Sequence, residues 1–331
     1  MNSIILPFDP NPSINVFSFW SNYLGILSGA GYDMRGVLYN NYITLIYAIA
    51  ADHLGFIGGL RAKWSFRHKI VFSPPKDPIR FMEQTLSEKK YITIMLNSLH
   101  LSSISSNHEG YHDWLIYGYD SEERKFYAAG YVLQSDYSVF TYETIQFSYE
   151  DFISALPPKG KKVRKILLSW LPSRYHVQKF SLIKLYINLI FYAYNVLPTL
   201  FNGRVYPVFI KRFECSHFGN DYPFDLRPLK VLIEHKKLLL RMMAELVPDG
   251  LAIVEFREIL NLAEKVLMVA LKYNITGKNK QQKTLAICNA LREIRNREPR
   301  ILRRFFHELI DMGVVGAHQS AAADPHQLHA Q

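Results

Sequence analysis

The residues able to do acid–base chemistry crowd one stretch, "HEGYHDWLIYGYDSEERKFYAAGY", residues 108–131. It reads as two strands and a tight turn, with His112 at the entrance to the first strand. A histidine opening an apolar strand is a common place for the base of a cysteine-type acyl-transfer site, where the imidazole takes a proton from the nucleophile. His100, His108, Glu109 and Asp113 stand close by in sequence. Strand alternation sends Asp113 to the face opposite His112 if the strand has already begun there. The two cysteines, Cys215 and Cys288, both follow this stretch and carry neither a CxxC nor a zinc spacing. They read as incidental thiols of a reduced, cytoplasmic protein.

The elements around the histidine must hold it in place. Residues 17–30, "FSFWSNYLGILSGA", read as a first helix, with Ser18 as its cap and Gly29 and Gly31 as its stop. A second apolar helix is expected over 41–54. A third follows Asp77 as cap and Pro78 in the first turn. The period then changes to that of strands, at 91–96, 114–120, 125–131, 138–147 and 163–171, with a short helix at 148–156 begun by Ser148. Helices followed by an antiparallel meander predict an α+β domain over residues 1–172. From residue 176 the pattern is helical. Three amphipathic stretches (224–246, 251–274 and 281–310, the last with Pro299 as kink or break) predict an antiparallel bundle within 173–312. The small, polar tail 313–331 reads as disordered, and the spacing of its histidines does not fit a metal site.

Composition narrows the class. The chain has 331 residues, 49% of them hydrophobic, enough for one large or two medium cores. Residues 180–201 are apolar, but Lys184, Asn188 and Asn195 interrupt them, so they read as a buried or interfacial helix and not as a span. The N-terminus has no secretory pattern. The net charge of +10 favours acidic partners. Its clusters, "KGKKVRK", "HKK", "KNKQQK" and "RNREPRILRR", come without a nucleic-acid motif and read as solvated faces, so a nucleic-acid partner is not expected.

The order of pieces resembles a known family. A helix near the N-terminus, a strand, then "HDWLIYGYDSEERKFYAAGY" (112–131) and "FSYEDFISAL" (147–156) is similar to the N-terminal domain named for butirosin biosynthesis protein H, a papain-like fold. The similarity covers about residues 5–172, and "DLRPLKVLIEHKK" (225–237) looks like the helical extension of related cluster proteins. The resemblance implies acyl transfer from a carrier-protein thioester to an amine or peptide, with a helix-start nucleophile and a strand-start histidine. It places the histidine at His112, the nucleophile position at Ser18 where the family has cysteine, and a polar helper at Asn97. It puts no carboxylate at Gly130 or Tyr131, where the orienting acid falls. Trp20 and Tyr119 are the candidate substrate contacts. It implies an acidic acyl or peptidyl carrier protein as partner and neither cofactor nor metal.

Two readings stand side by side. In one, the chain is an acyltransferase or amide synthase of bacterial peptide or other secondary-metabolite biosynthesis, through a serine acyl-enzyme or through His112 activating an amine for direct attack. In the other, it is a catalytically degenerate papain-like binding or scaffold protein of the same kind of pathway. Ser18 is then a helix cap, and His112 a structural histidine at a strand edge.

Overall fold

A computed structural model describes residues 3–48, 53–56, 66–72, 76–104, 110–134, 139–157, 166–172, 177, 179–194, 205–217 and 222–312. In chain order the elements are β1 (Ser3–Ile5), α1 (Ser18–Gly29), α2 (Met34–Asn41), β2 (Leu45–Ala48), β3 (His53–Phe56), β4 (Arg67–Val71), α3 (Pro78–Ser87) and β5 (Lys90–Asn97). There follow β6 (Tyr111–Asp120), β7 (Lys125–Gln134), β8 (Val139–Ser148), α4 (Tyr149–Ala155) and β9 (Ile166–Trp170). The helices α5 (Leu182–Tyr194), α6 (Val205–His217), α7 (Arg227–Leu246), α8 (Leu251–Thr276) and α9 (Lys280–Asp311) complete the chain. The architecture is α+β, in two compact units. The expected tail at 313–331, the basic run at 159–165, and His108 and Glu109 fall outside the described residues.

The first unit comprises Met1–Met34 and Gly59–Gln178. Its antiparallel sheet runs β4-β9-β5-β6-β7-β8, with β1 added beside the far end of β6. The middle strands read as near-continuous apolar runs because both faces are covered: Trp114, Leu115 and Ile116 are successive and all buried. Local chemistry sets the connections. The Asp120 carboxylate accepts the backbone N–H of Glu122 and of Glu123, each at 3.0 Å, and so closes the β6–β7 turn. Asp77 caps α3 through Arg80 N at 3.0 Å, and Ser148 caps α4 through Asp151 N at 3.0 Å. Both caps are where the sequence puts them.

The residues Phe8 and Asp9 cross α1 at Gly25 and Gly29. A Cβ at Gly29 would lie 2.5 Å from the backbone N, Cα and C of Phe8, and one at Gly25 would lie 2.5 Å from the Phe8 ring. Only glycines let backbone meet helix this closely. The crossing is tied by Asp9 N–H to Gly25 O at 2.9 Å and by Ser28 Oγ to the Asp9 carboxylate at 2.6 Å.

Two expectations change. The described residues of the expected helix at 41–54 form instead the end of α2 and two strands. The helix, α2, ends at Asn41, and a hairpin follows, pairing Leu45 with Phe56 through Ala48 with His53. A short apolar run such as "YITLIY" has no period that separates strand from helix, and its β-branched and aromatic residues suit a strand. Residues Arg35–Gly58 also cluster with the second unit, not the first. The strands β1 and β4 have no counterpart in the sequence reading, because both are short, and "RHKIV" carries the charges of an edge strand.

The second unit comprises Arg35–Gly58 and Lys179–Gln331. Its helices α7, α8 and α9 run antiparallel, laced by Lys237–Glu264, Arg297–Glu258 and Arg304–Glu255. The helix α9 continues from Lys280 to Asp311 through Pro299, so that residue does not break it. The core of this unit holds a charged network. The Lys236 ammonium, fully buried, meets the Glu298 carboxylate, the Tyr192 hydroxyl at 3.0 Å and His235 Nδ1 at 3.1 Å. The His235 Nε2–H donates to Ile43 O at 2.6 Å, which ties the stretch after α2 to α7. Tyr206 and Tyr192 donate to the other Glu298 oxygen at 2.7 and 3.0 Å. Lys236 thus spends all three of its donors.

Candidate functional site

The start of α1 differs from the sequence reading in its cap. The N-cap is Phe17, in extended conformation and without a side-chain cap bond, and Ser18 is the first helical residue. An aromatic cluster packs this helix start: the Phe17 and Trp20 rings meet edge-on at 5.1 Å, and Phe19 lies 4.8 Å from Trp20. Trp20 belongs to this packing and is buried.

The Ser18 hydroxyl, half-buried at the helix start, donates to Asp113 Oδ2 at 3.5 Å. Asp113 has an exposed rim but is crowded by protein behind it. That crowding raises its carboxyl above the ordinary value, against the Ser18 hydrogen bond and the neighbouring His112, which both lower it. Deeper along α1 the same sheet face supplies more partners. Ser21 Oγ shares a hydrogen bond with the Tyr131 hydroxyl at 3.0 Å, Tyr131 donates to Asn15 O, and Tyr142 donates to Asn22 Oδ1 at 2.6 Å.

His112 is not part of this row. The strand β6 begins at Tyr111, so His112 pairs with Leu96 and Asp113 with Met95, and their side chains alternate. His112 shares its face with Trp114, which packs against Gly130, and with the β7 positions Phe126 and Ala128. That face is covered by α4, through Phe126 against Phe152 at 5.1 Å, whereas Asp113 and Tyr131 face α1. Half-buried, His112 has its pKa pushed down by desolvation, with Asp113 acting the other way. The sheet therefore separates Ser18 from His112, and the structure does not bring them together.

Asn97 ends β5 and is buried. Its side-chain oxygen accepts Leu99 N at 3.2 Å and Gly110 N at 3.3 Å, so it closes the turn that leads into β6. Tyr119 lies beyond a bulge in β6, buried, with its hydroxyl 3.0 Å from Ser87 Oγ of α3. Of the five residues read from sequence, Ser18 and Trp20 share the start of α1, while Asn97, opposite Tyr111, adjoins the strand start that carries His112. Asp113, Ser21 and Tyr131 are the partners that the sequence reading did not assemble. The signal for Asp113 was the strand parity itself, which places it opposite His112 and so on the face that receives α1.

Cys215 and Cys288 lie on α6 and α9 in the second unit, and burial pushes the Cys288 thiol up to about 12. Among the described residues no group of three or more His, Cys, Asp or Glu side chains is placed to hold a metal ion. No described helix is long and apolar enough to cross a membrane. Scanned against protein-family models, the chain matches none, and a search of curated proteins finds no match either.

Proposed function

We propose that the chain is a papain-like protein of the butirosin biosynthesis protein H type, serving bacterial peptide or other secondary-metabolite biosynthesis by binding a carrier-borne or peptide ligand, without forming an acyl-enzyme. One observation carries this reading: the Ser18 hydroxyl at the start of α1 is paired with the Asp113 carboxylate, while His112 sits on the other face of the sheet. Acyl transfer of the family's kind needs an imidazole within hydrogen-bond reach of the nucleophile, and the partner of Ser18 is a carboxylate instead. A carboxylate at the helix end also fills the place where an acyl-transfer site gathers positive potential. What remains at the surface is the exposed Asp113 carboxylate with Ser18, backed by the buried Ser21 and by Tyr131, and suited to a donor-bearing ligand such as an amine or amide. The net charge of +10 supports an acidic carrier protein as the source of that ligand.

The test is intact-protein mass spectrometry with acyl-pantetheine thioesters and a panel of amines, beside titration calorimetry with an acyl carrier protein. The expected result is binding of the carrier that weakens with salt, with neither a mass adduct nor amide product. An adduct lost in Ser18→Ala would make the protein a working transferase and overturn the reading. Amide product without adduct, lost in His112→Ala, would overturn it in favour of base-assisted direct transfer.

A further inference from the structure

The solvent side of α8 carries an arrangement that packing within the second unit does not use. The helix buries Ala252, Ile253, Phe256, Ile259, Val266 and Tyr273. On its other side Lys265, Met268, Lys272 and Ile275 follow one another three, four and three residues apart and so share one face. Met268 is 61% exposed and Ile275 51% exposed, and with Leu271 they line a shallow groove of about 370 Å³. Lys265 and Lys272 stand at its rim without an acidic partner among the described residues, while the neighbouring Glu264 is held by Lys237 at 3.2 Å. The run "KNKQQK" continues the basic character past the helix end, with Lys278 exposed. A solvated helix face does not need two large apolar side chains at its centre, and apolar side chains that converge within a charged rim mark a contact surface.

We propose that this face of α8 is a docking surface for an acidic protein that presents an amphipathic helix. An apolar anchor of the partner enters the groove against Met268, Leu271 and Ile275, and flanking carboxylates meet the Lys265 and Lys272 ammonium groups. Methionine suits such a contact because its flexible thioether reshapes to the anchor. Charge decides between occupants. A second copy of a chain carrying +10 would be repelled. Residues 313–331 contain a single acidic side chain, Asp324, and cannot satisfy two lysines. A nucleic acid held by these lysines would still want an aromatic ring on which a base stacks, and this face has none. An anionic membrane surface wants an unbroken apolar face, and on this face Glu258 and Asn261 separate the exposed Leu251 and Val254 from Met268 and Ile275. The proposal concerns a different surface from the α1 row and stands without the acyl-transfer ancestry.

The test uses the full chain and three probes: a fluorescein-labelled helical peptide of leucine and glutamate with one apolar face, the same peptide with lysine for glutamate, and vesicles of phosphatidylcholine with phosphatidylglycerol. Fluorescence anisotropy should show binding of the acidic peptide alone, weakened about tenfold or more by Lys265→Glu with Lys272→Glu and by Met268→Ser with Ile275→Ser. The control Lys76→Glu with Lys89→Glu makes the same charge change in the first unit and should leave binding unaltered. All four α8 positions are solvent-facing, so circular dichroism should report an unchanged fold. Equal weakening by the control, absence of acidic-peptide binding, or binding of vesicles in place of the peptide would each overturn the proposal.

Discussion

The buried pair Lys236–Glu298 gives a stability prediction that can be worked from the structure. Both side chains are removed from water, at 0% and 2% exposure. Such a pair is held by mutual attraction against a large desolvation penalty, and removing one partner leaves the other charged and buried. Glu298→Leu strands the Lys236 ammonium and takes the acceptor from Tyr192 and Tyr206. Lys236→Met strands the carboxylate and takes the donor from His235 Nδ1. Each single change should cost roughly 3–5 kcal/mol. The double variant removes both charges and should be no less stable than the worse single, a coupling of roughly 3–5 kcal/mol. Adding Tyr192→Phe and Tyr206→Phe, which removes the two stranded hydroxyls, should recover stability further. The assay is equilibrium urea unfolding of the full chain, followed by helical circular dichroism, where a loss of about 4 kcal/mol moves the midpoint by roughly 1–2 M. Single-variant losses that add to within about 0.5 kcal/mol would refute the argument, because the two groups would then not depend on each other.

Two further outcomes follow from named contacts. Burial, with the Lys236 charge behind it, holds the His235 imidazole pKa well below its usual value, against the Ile43 carbonyl bond. The folded chain thus keeps it neutral while the unfolded chain takes up a proton below about 6.5, so its contribution is present above that pH and is lost as pH falls, by up to about 1.4 kcal/mol per pH unit. Urea midpoints at neutral and at mildly acidic pH measure this, and nitrogen-detected NMR showing a protonated His235 in the folded chain at pH near 5.5 would contradict it. Gly29→Ala places a methyl group 2.5 Å from the Phe8 backbone, which cannot rotate away, and should cost about 1–3 kcal/mol in the same unfolding assay. An unchanged midpoint would mean that residues 7–9 do not cross α1 as described.

Legibility in the sequence tracked the range of the signal. The helices with local caps, α3 with Asp77 and α4 with Ser148, could be read because donor and acceptor lie three residues apart. The meander β5 to β8 could be read because its turn residues and β-branched runs are local. The hairpin β2–β3 was not legible, since "YITLIY" is apolar on both sides and is identified only by what packs on it. The helix α6 was hidden by Pro207, which its first turn tolerates. The site depended on longer range still. Ser18 and Asp113 are 95 residues apart, and no local pattern joins them. Whether His112 or Asp113 faces α1 turns on one residue of register, because side chains alternate along the strand. The resemblance placed the site at His112 alone, and the structure sets its neighbour Asp113 against α1.

That separation has an electrostatic consequence. A thiolate nucleophile and a developing oxyanion are both anions, and a helix start favours them through its free amide donors and the positive end of its dipole. At the start of α1 the Asp113 carboxylate already occupies that potential. Two unit charges roughly 5 Å apart repel by about 3 kcal/mol at an effective dielectric of about 20. An oxyanion formed beside ionised Asp113 would be disfavoured by about that amount, some two orders of magnitude in rate. Burial raises the carboxyl pKa of Asp113, against the Ser18 hydrogen bond and His112, which marks a place that disfavours a further negative charge. The same carboxylate that opposes acyl transfer attracts an ammonium or an amide N–H. The electrostatics of this helix start thus favour a ligand that brings donors, whichever residue of the row first meets it.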